Sequence, residues 1–76
     1  MKLWSLHDGK RLREVALRTR DDVRDWAGRR LMSTTDYHRA MARGTDHHDK
    51  MMEIWGVVQF NYPMARIVRV DVRRSE

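Results

Sequence analysis

The sequence predicts an α+β fold: a three-stranded antiparallel sheet, made of a β-hairpin and a C-terminal strand, packed with two or three helices in the order ββαααβ. Three observations carry this. Two apolar-containing runs flank Asp8-Gly9, a dipeptide that favours a tight hairpin turn. Residues 45–62 repeat apolar side chains at helical spacing until Pro63. Residues 66–73 alternate valine with mostly charged residues, the period of a strand with one packed face.

The first element is the hairpin over residues 1–19. A two-residue loop at Asp8-Gly9 would scatter the apolar side chains over both faces. A three-residue loop, His7-Asp8-Gly9 with Gly9 in the left-handed position, pairs Trp4 with Leu12 and Met1 with Val15. Met1, Leu3, Val15 and Leu17 then share one face, and Trp4, Leu6 and Leu12 the other. A single helix over residues 10–31 also fits the apolar spacing, but the Asp8-Gly9 turn and the alternation Val15, Leu17, Thr19 favour the hairpin.

Thr19 and Asp22 resemble a capping box, and a helix follows from about Asp21 to Met32, with Val23, Trp26, Ala27 and Leu31 inward. Ser33 with Asp36 caps a second helix, about Thr35 to Arg43, which turns Tyr37, Ala40 and Met41 inward and stops at Gly44. Thr45 or Asp46 caps the third, whose inner face is Met51, Ile54, Trp55, Val58 and Tyr62. Gly56 weakens that helix, and Pro63 ends it near Tyr62. In the last strand Val68, Val70 and Val72 are expected to face the core, with Ile67, Arg69 and Asp71 outward. Met41, Met51, Met52 and Met64 are expected as core fillers.

Length allows one domain, residues 1–76, with a small core. With no cysteine, neither a disulfide nor a thiolate metal site exists, which fits a cytoplasmic protein. No apolar run is long enough for a membrane span, and Met1-Lys2-Leu3-Trp4 does not open a signal peptide. His47 and His48 are adjacent, so on a helix they point about 100° apart and are poorly placed to share a metal ion. There is no Gly-rich phosphate loop and no Gly-x-Ser-x-Gly elbow. The carboxylates Glu14, Asp21, Asp22, Asp25 and Glu53 are isolated or lie beside arginines, a setting that suits ion pairs and not proton transfer. The expectation is a protein that is not an enzyme, with no cofactor, no metal and no small-molecule substrate.

Charge is the functional signal. Sixteen Lys and Arg against eleven Asp and Glu give +5 and a pI near 10.4. Residues 10–31 hold Lys10, Arg11, Arg13, Arg18, Arg20, Arg24, Arg29 and Arg30 against four carboxylates. Arginine, which outnumbers lysine, offers a planar fork to phosphate or carboxylate. Arg11, Arg13, Arg18 and Arg20 lie on or beside the second predicted strand, and Arg66, Arg69, Arg73 and Arg74 on or after the last. If those strands are neighbours, their charges form one positive field for nucleic acid or an acidic protein surface. Trp4, Leu6 and Leu12 form an apolar patch beside it unless a helix covers them. The plainer reading of these residues is a solvated basic face and a covered tryptophan.

Lys2-Leu3-Trp4, the hairpin, the helix after Thr19 and the strand Arg66-Ile67-Val68-Arg69-Val70 together resemble the plan of small phage-encoded proteins that bind and inhibit host machinery. The T7-type inhibitor of bacterial RNA polymerase runs strand, strand, helix, strand. The resemblance is one of architecture; this chain inserts two further helical segments between Met32 and Pro63, and no residue role carries over. It implies a host-directed interaction protein acting in the host cytoplasm. Two functions are therefore expected: a basic module that binds nucleic acid or its processing machinery through the arginine strands; or an inhibitor or adaptor that grips a host protein such as RNA polymerase or a defence complex through Trp4, Leu6 and Leu12 or through the basic face.

Overall fold

The computed structural model describes residues 2–71. Met1, Val72, Arg73 and Arg74, which the sequence reading enlists, lie outside the described residues. The chain runs β1 (Lys2–His7), α1 (Arg20–Leu31), α2 (Thr34–Arg43), α3 (His47–Asn61) and β2 (Arg66–Asp71). It is α+β in the order βαααβ, with one two-stranded antiparallel sheet. Residues 8–19, expected to supply the second strand of a hairpin, form no strand.

The helices begin and end where local chemistry sets them. Thr19 accepts the Asp22 amide at 3.0 Å, Ser33 the Asp36 amide at 3.1 Å and Asp46 the Asp49 amide at 2.8 Å. Each bond satisfies an orphan N–H of a first turn. Gly44 closes α2 with its N–H on the Met41 carbonyl. α3 stops at Asn61 with Tyr62 as its cap, because Pro63 excludes helical geometry at the residue before it. α1 packs against β1, α2 and α3, and α3 also packs on α2. The core between them is Val23, Ala27, Tyr37, Ala40, Met51, Ile54, Trp55 and Val58, joined by Leu6 and Ala65. Gly28 lets α1 and α3 approach, since a Cβ there would collide with the Ile54 side chain and press on the Tyr37 ring.

Residues 8–19 return along the free side of β1 without becoming a strand. The Asp8 carboxylate accepts the Lys10 and Arg11 amides at 2.8 and 2.9 Å, and the Asp8 N–H donates to the Arg11 carbonyl. This builds a four-residue turn between His7 and Leu12 in place of the expected three-residue loop. Gly9 does take the left-handed φ of 99°, with Met64 stacked so close that a Cβ would lie 2.7 Å from the Met64 Cβ. The Val15 N–H then folds back onto the Arg13 carbonyl, absorbing two residues. Contact with β1 resumes only at Trp4, which bridges to Leu17 and not to Leu12.

The register corrects the faces as well. Leu6 lies opposite Ile67 and Trp4 opposite Arg69, so these four share one side of the sheet. Trp4, Leu6, Ile67 and Leu17 pack on the helical core. Leu3 pairs with Val70 and Ser5 with Val68, on the side away from the helices. Val68 and Val70 are half-buried and outside the core cluster, so the expected packing of the valine face is overturned. The physical reason is bulk: Trp4, Leu6, Ile67 and Leu17 offer the core more apolar surface than Leu3, Val68 and Val70. Met52 and Met64 are exposed, not core fillers.

Candidate nucleic-acid interface

The arginines do not form the continuous field that adjacent strands would give. β1 lies between β2 and the return segment, so Arg66 and Arg69 are separated from Arg11 and Arg13 by a whole strand. Arg66, opposite His7, leaves the sheet on the side away from the helices, whereas Arg69 leaves it on the side of Trp4. What the fold does is gather arginines at two tryptophans, one at each end of the return segment.

At the first, the Arg20 guanidinium lies over the Trp4 ring, 4.4 Å from its centroid. Arg20 is the first residue of α1, and Trp4 is held beneath it by two backbone hydrogen bonds to Leu17, of 2.7 and 2.8 Å. Trp4, Arg18, Arg20, Arg24 and His47 line an open cleft of about 650 Å³, together with the carboxylates of Asp21 and Asp22. Arg69 stands directly across the ladder from Trp4. Asp21 is already engaged: Arg24 Nη1 donates to it at 2.6 Å and His48 Nδ1 lies 3.0 Å away. Burial pushes the Asp21 carboxyl up, but these two partners outweigh it and hold the group below its usual range.

At the second, the Arg30 guanidinium lies 5.7 Å from the Trp26 ring centroid. Here Arg11, Leu12, Arg13, Glu14, Trp26 and Arg30 surround a cleft of about 350 Å³. Arg13 is tied down, its Nε donating to Asp8 at 2.7 Å. The Arg11 and Lys10 amides, with Arg13, hold the Asp8 carboxyl at about 2, well below the usual carboxylate range. Arg13 is thus a brace of the turn, while Arg11 and Arg30 point their charge at solvent.

Among the described residues Arg11, Arg18, Arg20, Arg30, Arg66 and Arg69 make no ion pair, whereas Arg13, Arg24, Arg29, Arg39 and Arg43 each meet a carboxylate. Arg73 and Arg74 lie outside the described residues. Leu12 is half-exposed beside Arg11, but Leu6 is fully buried and takes no part in a contact patch. Sequence reasoning placed Trp26 on the inner face of α1, where it packs half-buried against the core, but passed over its contact with Arg30. Their i, i+4 spacing on one helix was the signal that these side chains meet.

A third cleft, about 450 Å³ between α1 and α2, is lined by Gly28, Arg29, Met32, Tyr37, His38 and Met41. Its Tyr37 hydroxyl and Arg29 guanidinium are spent internally. The Tyr37 hydroxyl donates to Asp25, which also accepts from Arg29 Nε at 2.9 Å, and Arg29 lies over the Tyr37 ring. Burial, then the Asp25 carboxylate, pushes the Tyr37 hydroxyl up, so it stays a donor. This arrangement fastens α2 to α1.

The chain matches no family model, no curated protein and no solved structure. No helix among the described residues is long and apolar enough to cross a membrane.

Proposed function

We propose that this protein is a non-enzymatic basic module that binds nucleic acid through the surface running from Trp4 to Trp26. The observation that supports the reading is the set of arginines that make no ion pair among the described residues, Arg11, Arg18, Arg20, Arg30 and Arg69, gathered about two arginine–tryptophan contacts. Unpaired guanidinium groups attract phosphate, and Arg20 and Arg30 each lie within cation–π reach of an indole. Arg66 lies on the other side of the sheet and contributes only to the long-range field.

The test is titration of a fluorescent oligonucleotide at several salt concentrations. Affinity falls steeply with salt, because each phosphate contact releases a counterion. Changing Arg11, Arg18, Arg30 and Arg69 together to Ser leaves the melting curve near that of the parent and flattens the salt slope by about one unit per lost contact. Absence of binding to any nucleic acid at low salt refutes the reading.

A second reading, an inhibitor or adaptor that binds an acidic host protein, draws support from one observation. Phe60 is 84% exposed and Met64 67% exposed, unusual for large apolar side chains. On that reading Phe60→Ala weakens partner binding by about 2 kcal/mol, as loss of an anchor does, while the arginine changes mainly slow association.

A further inference from the structure

Resting on the nucleic-acid reading above, we infer that the surface takes a single strand, with one base stacking at the Trp4–Arg20 pair and another at Trp26–Arg30. The two arginine–tryptophan contacts lie at opposite ends of the return segment and of α1. The return segment connects them: Arg11 to Glu14 line the cleft at Trp26, and Arg18 to Arg20 line the cleft at Trp4. Helix α1 spans the same interval, and ten residues from Arg20 to Arg30 at ~1.5 Å each set it at roughly 15 Å. A stacked strand advances ~3.4 Å per nucleotide, so about four nucleotides bridge the two sites, fewer when the strand is extended.

The chemistry favours unpaired bases. A guanidinium lying over an indole presents a flat face, and a base can stack only where its own face is free. In a duplex every base face is covered by its neighbours. Duplex readers also push a helix or a two-stranded ribbon into a groove. Here Arg11 and Arg18 come from an irregular segment, Arg20 and Arg30 from the two ends of one helix, and they stand at the rims of concave clefts. Arg18 and Arg11, exposed and without carboxylate partners, are spaced along the segment where phosphates between the stacked bases would run. Glu14 and Asp22 line the clefts too and exclude phosphate from their own positions, which confines the backbone to the arginine side.

The experiment compares an oligothymidylate of about eight nucleotides with a duplex of equal length. Binding is followed by anisotropy of the labelled nucleic acid and by tryptophan fluorescence. The variant is Arg20→Lys with Arg30→Lys, which keeps both charges but removes both stacking planes. Expected is single-strand binding about ten-fold tighter than duplex binding, with quenched tryptophan emission. The lysine variant loses about ten-fold on the single strand and stays within about two-fold on the duplex. If the duplex binds as tightly, or if the lysine variant binds the single strand like the parent, the single-strand inference is wrong while the nucleic-acid reading stands. If neither form binds at low salt, both fall together.

Discussion

The helical part, residues 19–62, and the sheet part, residues 2–18 with 66–71, are held by different kinds of information. Each helix carries its own boundaries: a capping oxygen at Thr19, Ser33 and Asp46, a stop at Gly44 or Pro63, and an apolar stripe facing inward. The sheet carries no such local record. Its central strand, β1, has two possible neighbours, the segment that follows it and a strand almost sixty residues later. The distant strand wins the full ladder, and the adjacent segment keeps two isolated bridges. The contrast teaches that a helix start is a local bond, whereas a strand's register is decided by which face the rest of the chain covers.

The sharpest break of this comparison puts one charge on each face of the sheet. Leu6 is fully buried against the helices, so Leu6→Asp buries an uncompensated carboxylate and unfolds the protein, with a loss of about 4 kcal/mol or more. Val70 is half-buried on the opposite side, so Val70→Asp keeps its carboxylate hydrated and costs about 1 kcal/mol or less. Thermal melting of both variants decides it. The alternation Val68, Val70, Val72 led to the reverse expectation, and an unfolded Val70→Asp protein would restore it.

Next in size is the turn that blocks the hairpin. The Asp8 carboxylate is the acceptor for two amides and for Arg13, and its pKa is depressed from 3.8 to about 2. A depressed carboxylate contributes stability that is fully present above the unfolded value and is lost as pH falls through the folded one. Asp8→Ala therefore lowers Tm at pH 7, and the gap between variant and parent closes as pH drops from about 4 to about 2. A gap that persists below that window would show that Asp8 acts through shape and not charge. Asp21, also held down by His48 and Arg24, adds to the same acid limb in the parent.

These residues show how much was legible in the sequence. Periodicity, caps and Pro63 give all three helices to within a residue or two, because their causes lie within four residues of each other. Asp8-Gly9 announces a turn, and Gly9 takes the expected left-handed φ. The length of that turn was not legible. It depends on a side-chain carboxylate outcompeting ladder bonds, and on the two-residue fold-back between Arg13 and Val15. The site was legible in composition more than in place. Arg11, Arg18, Arg20 and Trp4 line the two candidate clefts, but Arg13 is a brace, Arg66 faces away, and the meeting of Trp26 with Arg30 was overlooked. Which arginine is free is a fact about the carboxylates nearby, such as Asp8 and Asp21, and spacing alone does not record it.

A smaller change tests the helical side of the contrast at its starts. Thr19→Ala removes the oxygen that accepts the Asp22 amide and costs about 1 kcal/mol, seen in chemical denaturation. Because Thr19 also begins α1 directly after Arg18, the loss propagates to the placing of Arg20 over Trp4 and, on the proposed reading, lowers nucleic-acid affinity together with stability. An unchanged denaturation midpoint would mean that packing of Val23 and Ala27 alone sets the start of α1.

The smallest effect expected is a gain. Gly56 lies inside α3 between Trp55 and Val57, exposed, with nothing within 4 Å of the position a Cβ would take. Glycine in a helix interior costs roughly 0.5–1 kcal/mol relative to alanine, because the unfolded chain has more freedom to lose. No packing partner offsets that cost here, unlike at Gly28, where a Cβ would strike Ile54. Gly56→Ala is therefore expected to raise stability by roughly 0.5–1 kcal/mol, and Gly28→Ala to lower it, from the same chemical change on two faces of the same helical layer. Denaturant midpoints of the pair, at equal slope, measure the difference. If Gly56→Ala destabilised the protein, the outer face of α3 at that point would be in close contact with something, and a second molecule of the chain would be the first candidate, detectable as a protein-concentration dependence of the midpoint.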